Sequence, residues 1–587
     1  MYNQLWCLDD LYTSFESAEF LADFDKAKKE IEELSKWADE NFSSMDGAAE
    51  KLVSYLNHMN STKTMQKLMY YTMLVQSVDD DNKTAKKYLD LLRGNMAQLT
   101  KPQVLFKAYV GKVENLCELI AANPVLEEHK FILNEIKTAN TFLLSEKEET
   151  AIAMLKNTGS NAWTDMKGQL ESNLMIKVVV EGEEKVLPLT AVRNLAYEAN
   201  AQTRKAAYDA EIKAYEQIDK AIAASLNSVK GEVLTMVKLR GYDSPLHMTL
   251  ANSRLEKGTL DAMISAMEDF LPSFRRFYKK KAEMLGHKNG LPWYDLFAPA
   301  SAVDLKFTYE EACDFVLEHF YSFSKKLGDF TKQGLEGSWV DAKVRKGKRG
   351  GAFCMNIHAI GQSRVMLNFD GSFSNVTTFA HEFGHAQHGD CLKHKSYLNS
   401  SYTMPIAETA SNFCETIIVN AAMKDADEKT KMAILEQDLS DAMQVIVDIY
   451  SRYLFETRLF EKRKGGPLSV EEINELMLGA QKDAYGDGLD HDYLHKYMWI
   501  CKPHYYMPER NFYNFPYAYG LMFSKGLYAQ YLAEGDSFIE KYDNLLAATG
   551  SASLEEVGDL AGIDVRKKDF WVSSLKIIEA KLDEFCK

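Results

Sequence analysis

His381-Glu382-Phe383-Gly384-His385 sets two imidazoles four residues apart in the chain. On an α-helix that interval is ~6 Å of rise on nearly one face, so both rings can meet a single ion. Ser374 or Asn375 offers a cap ahead of Val376-Thr377-Thr378-Phe379-Ala380, which predicts that the motif is helical. Imidazole suits zinc, and a catalytic zinc keeps one position open. Glu382 then places a carboxylate beside the ion, where it can take a proton from water and pass it to a departing amine. Aspartate would be a methylene too short for that reach. The chain contains its own control in His491-Asp492-Tyr493-Leu494-His495, which has the histidine spacing but aspartate in the base position. Lying near Gly486 and Gly488, it reads as a decoy at the surface or at a helix start.

A third ligand is needed to complete such a site. The metzincin pattern requires glycine and histidine where this chain has His388 and Cys391, so that class is rejected. The other solution is a glutamate on a following helix. Pro405 marks a helix start and puts Glu408 in its early turns, 23 residues after His385. Glu415 lies two turns further on the same face, either orienting a histidine ligand or serving as an ordinary helix carboxylate. His388, one turn past the motif, reads as a local hydrogen-bonding or capping group.

Around this centre the pattern is helical. Phe20, Phe24, Ala27, Ile31, Leu34 and Ala38 recur at spacings of three and four with charged residues between them. No proline falls between 125 and 187 or between 406 and 466, leaving room for long helices. Two segments read as β. Met175 to Val180 and Lys185 to Leu189 predict a hairpin across Glu181-Gly182-Glu183-Glu184, and residues 338–368 predict a small sheet just before the motif. Within the latter, the glycine-rich 346–351 lacks the Gly-Lys-Ser/Thr ending of a phosphate loop and reads as a flexible loop beside a cleft.

With 587 residues, the chain exceeds the size at which one core stops growing, so two bodies are expected, at 1–195 and 196–587. A net charge of −16 argues against broad binding to nucleic acid or an anionic membrane. No apolar run approaches a membrane span, no secretion signal is evident, and the eight dispersed cysteines form no Cys-x-x-Cys pair. The expectation is a cytoplasmic protein with reduced thiols and no obligate protein partner.

These residues carry a resemblance. His381 to His388, Ile406 to Ser411 and the aromatic run from His504 to Gly520 resemble oligoendopeptidase F, in the thimet oligopeptidase superfamily of zinc metallopeptidases. The likeness spans nearly the whole chain. It implies a mainly α, neurolysin-like body with a deep central channel, a small sheet beside the zinc helix and an N-terminal helical lobe carrying the hairpin. It implies one Zn2+ per chain held by His381, His385 and Glu408, with Glu382 as general base. It further implies that the strand of Arg364, Val365, Met366, Leu367 and Asn368 binds substrate backbone by strand addition. From the C-terminal run, His504, Tyr513 and Tyr517 are the candidates for stabilising the oxyanion, although Pro516 interrupts the family's aromatic spacing. The implied reaction is hydrolysis of internal bonds in short unstructured peptides.

Overall fold

The computed structural model describes residues 2–299 and 305–587. The protein is mainly α, with small sheets only. The first apolar stripe becomes the helix Ala18–Asn41, whose start is capped by Ser17 accepting from the Phe20 N–H. Its period of three to four buries Phe20, Ala27, Ile31, Leu34 and Ala38 on one side. Phe20 packs edge-on against Tyr12 and Tyr88, with ring centroids 5.1 and 4.8 Å apart.

The chain folds into two compact units, each assembled from three segments. The first comprises Met1–Phe142, Asp304–Ala421 and Gln530–Ile563; the second comprises Leu143–Val303, Ala422–Ala529 and Asp564–Lys587. Residue 195 therefore lies inside a segment of the second unit. Each unit has its own core, one gathered around the N-terminal helices and the other around Tyr215, Phe455 and Trp499.

The second unit carries the hairpin. Strands β1 (Met175–Val180) and β2 (Glu183–Pro188) pair antiparallel from Val180↔Glu183 to Met175↔Pro188. The turn is shorter than the four residues expected: only Glu181 and Gly182 lie between the strands, both at positive φ, the geometry of a two-residue hairpin turn.

The first unit carries the small sheet, made of β3 (Val340–Asp341), β4 (Phe353–Ile357) and β5 (Gln362–Met366) in the order β3-β5-β4. β5 is parallel to β3 and antiparallel to β4, so both of its edges are filled. This corrects the expectation for Arg364, Val365, Met366 and Leu367, while Asn368 lies beyond the end of the strand. Arg364, Val365, Met366 and Leu367 are buried, and a strand paired on both sides has no free backbone groups to offer a peptide. The Arg364 guanidinium instead donates to the Cys7 carbonyl at 2.9 Å and to Asp10 at 3.1 Å, and Asn368 donates to the Arg349 and Gly351 carbonyls, both at 2.9 Å.

The glycine-rich segment is likewise more tethered than expected. Lys348 Nζ is buried and donates to Asp341 Oδ1 at 2.7 Å and to the Leu367 carbonyl, while the Gly347 carbonyl accepts from the Asp80 N–H and the Arg349 N–H donates to the Ser77 carbonyl. No helix among the described residues is long and apolar enough to cross a membrane. All eight cysteines are free thiols.

Candidate metal centre

The motif lies on the helix Phe373–Leu392, which begins two residues earlier than the predicted caps, with Ser372 at the cap position. Two glycines let this helix approach its neighbours. A Cβ on Gly384 would sit 2.4 Å from the Ala410 carbonyl oxygen and 2.5 Å from Ser411 Cα, and one on Gly389 would strike the Asn356 side chain. The motif helix thus lies directly against the start of the helix Thr409–Asp425 on one side and against β4 on the other. Asn356 Nδ2 seals the second contact by donating to the His385 carbonyl at 3.0 Å.

Glu408 is not inside that following helix but at the junction before it, just after the single turn Met404–Ala407. There, Glu408 Oε2 lies 3.2 Å from His381 Nε2 and 3.4 Å from His385 Nε2. Tetrahedral zinc with bonds of about 2.0–2.1 Å needs neighbouring nitrogen and oxygen ligands roughly 3.3 Å apart, so the donor set and its spacing fit that ion. All three side chains retain partial exposure, leaving one side of the cluster open. Glu415 Oε2 stands 3.4 Å from His381 Nδ1, the ring nitrogen that faces away from the cluster. This contact fixes the ring so that Nε2 points inward.

In the metal-free chain, burial opposes charge on His381, but Glu408 and Glu415 outweigh it and lift the imidazole to about 10. Against its own burial, Glu408 is held below the usual carboxylate range by His381 and His385. Glu382 moves the other way. It is 6% exposed, burial pushes its carboxyl up, and Oε2 makes no hydrogen bond among the described residues. A buried carboxylate oxygen without a hydrogen-bond partner among the described residues thus stands beside the convergent His-His-Glu cluster.

The cluster opens into a cavity of about 450 Å³ lined by Phe353, Cys354, Asn356, Glu382 and Tyr402, together with the three candidate ligands. Sequence reasoning missed Cys354, Asn356 and Tyr402. Tyr402 stacks face to face on His388 at 4.0 Å, and His388 Nε2 meets Thr549 Oγ1 at 2.8 Å. Complete burial pushes His388 down to about 3, so it stays neutral in the local packing role expected of it.

The remaining candidates belong to the second unit. His504 lies 4.9 Å from Tyr513 and 6.3 Å from Tyr517 between ring centroids, and the two tyrosines are 5.6 Å apart. Tyr513 and Tyr517 are half-buried in a segment whose neighbours are buried. Pro516 falls in the first turn of the helix Phe515–Glu534, where a missing N–H costs nothing, so the helix continues through Tyr517. His504 is pushed down to about 4 by burial and by the cationic Arg452, Lys502 and Arg510.

The decoy is half as expected. His491 to Tyr493 form a single 3-10 turn, with His491 exposed, whereas His495 is buried at 2% exposure. His495 converges with Glu211 and Cys501 as a second set of ligand-type groups. Arg193 already stands 3.5 Å from Glu211, and burial pushes the Cys501 thiol up to about 12, so that set holds its own proton and its own cation.

Comparison with known proteins gives the same direction. The chain is 26% identical over 593 residues to Oligopeptidase PepF of Bacillus subtilis, covering 99% of this chain and 86% of that protein. The solved structure of a Chlamydophila abortus protein superposes with a TM-score of 0.86 at 22% identity, covering 99% of this chain and 98% of the other. Oligoendopeptidase F from Enterococcus faecium superposes with a TM-score of 0.71 at 19% identity, covering 96% and 98%. The sequence profile described as Oligopeptidase F matches residues 113–174, and that of Peptidase family M3 matches residues 194–577, well over half of the chain. The chain belongs to peptidase family M3.

Proposed function

We propose that the protein is a zinc metalloendopeptidase that hydrolyses internal bonds of short, unstructured oligopeptides. The observation that carries this reading is the His381-His385-Glu408 cluster at zinc spacing with the unpartnered carboxylate of Glu382 beside it. Names borne by the relatives, oligopeptidase and oligoendopeptidase, support the substrate class.

Zinc bound by these three side chains supplies a Lewis acid that polarises a carbonyl and makes water easier to deprotonate. Glu382 accepts the proton of the attacking water on its free oxygen and delivers it to the leaving amine. Glu415 holds His381 in the ligating orientation. For the oxyanion we assign His504, Tyr513 and Tyr517, whose clustering and partial exposure support the role.

Substrate backbone is taken by β4 instead of β5. The N–H groups of Val365 and Leu367 go to β3, so by antiparallel alternation the main-chain groups of Phe353, Met355 and Ile357 face β5. Those of Cys354 and Asn356 face the outer edge, along the same cavity as the cluster.

The test is mass spectrometry of the products from a mixed peptide library. Fragments from internal cleavage that disappear with chelator and return with zinc are expected. Release of single terminal residues alone would instead support a carboxypeptidase or dipeptidase.

A further inference from the structure

The second unit contains a cavity of about 360 Å³. Its charged lining can be counted. Arg204 is neutralised by Asp295 at 2.7 Å, Glu211 faces Arg193 at 3.5 Å, and Asp448 is paired with Arg452 and accepts from the Tyr485 hydroxyl at 3.1 Å. One charge remains. Lys502 lines the same cavity, is half-buried, and lies within the field of Asp448 but makes no ion pair or side-chain hydrogen bond of its own among the described residues.

Arg452 takes the direct contact with Asp448, so Lys502 feels that carboxylate only beyond ion-pair distance and favours an anion at its own wall of the cavity. Two features describe the rest of the ligand. Tyr197 and Phe297, with ring centroids 5.0 Å apart, share the wall with Trp293 and Tyr294, so the body it accepts is flat and apolar. Both lining carboxylates already have cationic partners, so a second, positively charged end on the ligand would find no free acceptor. We propose that this cavity is a binding site for a small aromatic carboxylate, with Lys502 as its counter-ion. Burial and the neighbouring Arg452 push Lys502 down to about 8, so it keeps most of its charge at neutral pH.

The site can be tested without reference to peptide turnover, by calorimetric titration of the full chain at pH 7 with benzoate, benzamide and inorganic phosphate. Saturable benzoate binding is expected, with benzamide at least tenfold weaker for lack of charge and phosphate at least tenfold weaker for lack of a ring. Lys502→Met should weaken benzoate at least tenfold, while Lys496→Met, six positions away in the sequence, leaves it unchanged. No saturable benzoate binding, equal binding by Lys502→Met, or phosphate binding as tightly as benzoate would overturn the proposal. Should Lys502→Met fail to fold by circular dichroism, labelling of the wild-type chain with trinitrobenzenesulfonate decides. Benzoate must protect Lys502 in the peptide map, and unchanged labelling would also overturn it.

Discussion

At the residue scale, the cluster assigns separate work to neighbouring carboxylates. Glu408 is held ionised by two imidazoles, whereas Glu382 is buried, raised and without a hydrogen-bond partner on one oxygen. A base works in its ionised form, so turnover is lost as pH falls through the pKa of Glu382. His504, pushed down to about 4, is neutral across the working range and contributes no limb near neutrality. His504→Gln is therefore expected to lower kcat about tenfold or more while leaving the midpoint of the acid limb in place, as read from pH–rate profiles. A shifted midpoint would make His504 the titrating group. Glu408→Ala is expected to lower metal content by elemental analysis, and full occupancy in that variant would move the third ligand elsewhere. The motif histidines, Glu382 and Glu408 were legible because their chemistry is local and the intervals are helical. Cys354, Asn356 and Tyr402 were not, because they reach the cavity from a strand and a loop whose placement no short spacing encodes.

At the scale of elements, the motif helix owes its position to Gly384 as much as to its ligands. Adding one methyl there drives it into the backbone at Ala410 and Ser411, which cannot yield as a flexible side chain would. Gly384→Ala is expected to cost about 1–3 kcal/mol by overpacking and to lower Tm and metal occupancy together. Full occupancy at an unchanged Tm would show that the helices can separate at no cost. The sheet teaches the opposite lesson about sequence. Residues 338–368 were recognisable as β, but the order β3-β5-β4 depends on a parallel pairing of Val340 with Val365 across the glycine-rich segment. Alternating apolar residues do not reveal which strand is central, so the central position of β5 is not legible in its sequence. Arg364→Met should accordingly lower Tm by removing its bonds to Cys7 and Asp10, while KM for peptides stays within about twofold. A large rise in KM at unchanged Tm would restore β5 to the substrate.

At the scale of the whole molecule, the helical class was visible early because apolar residues recur at three and four through most of the chain. The compact units were not, because each is stitched from three separated segments and no proline- or glycine-rich linker marks the joins. The family profiles meet between residues 174 and 194, and we retain the expected partition near 195 as a proposal about how the chain is organised in sequence. Chelation should abolish turnover while leaving far-ultraviolet circular dichroism unchanged, since each unit has its own extensive core. The central claim is that three side chains hold the metal and a fourth carries the proton. It is tested most directly by measuring zinc content and peptide turnover together in Glu382→Gln. About one zinc per chain with turnover reduced by roughly 10²–10⁴ is expected; near-normal turnover, or loss of the zinc itself, would overturn the assignment.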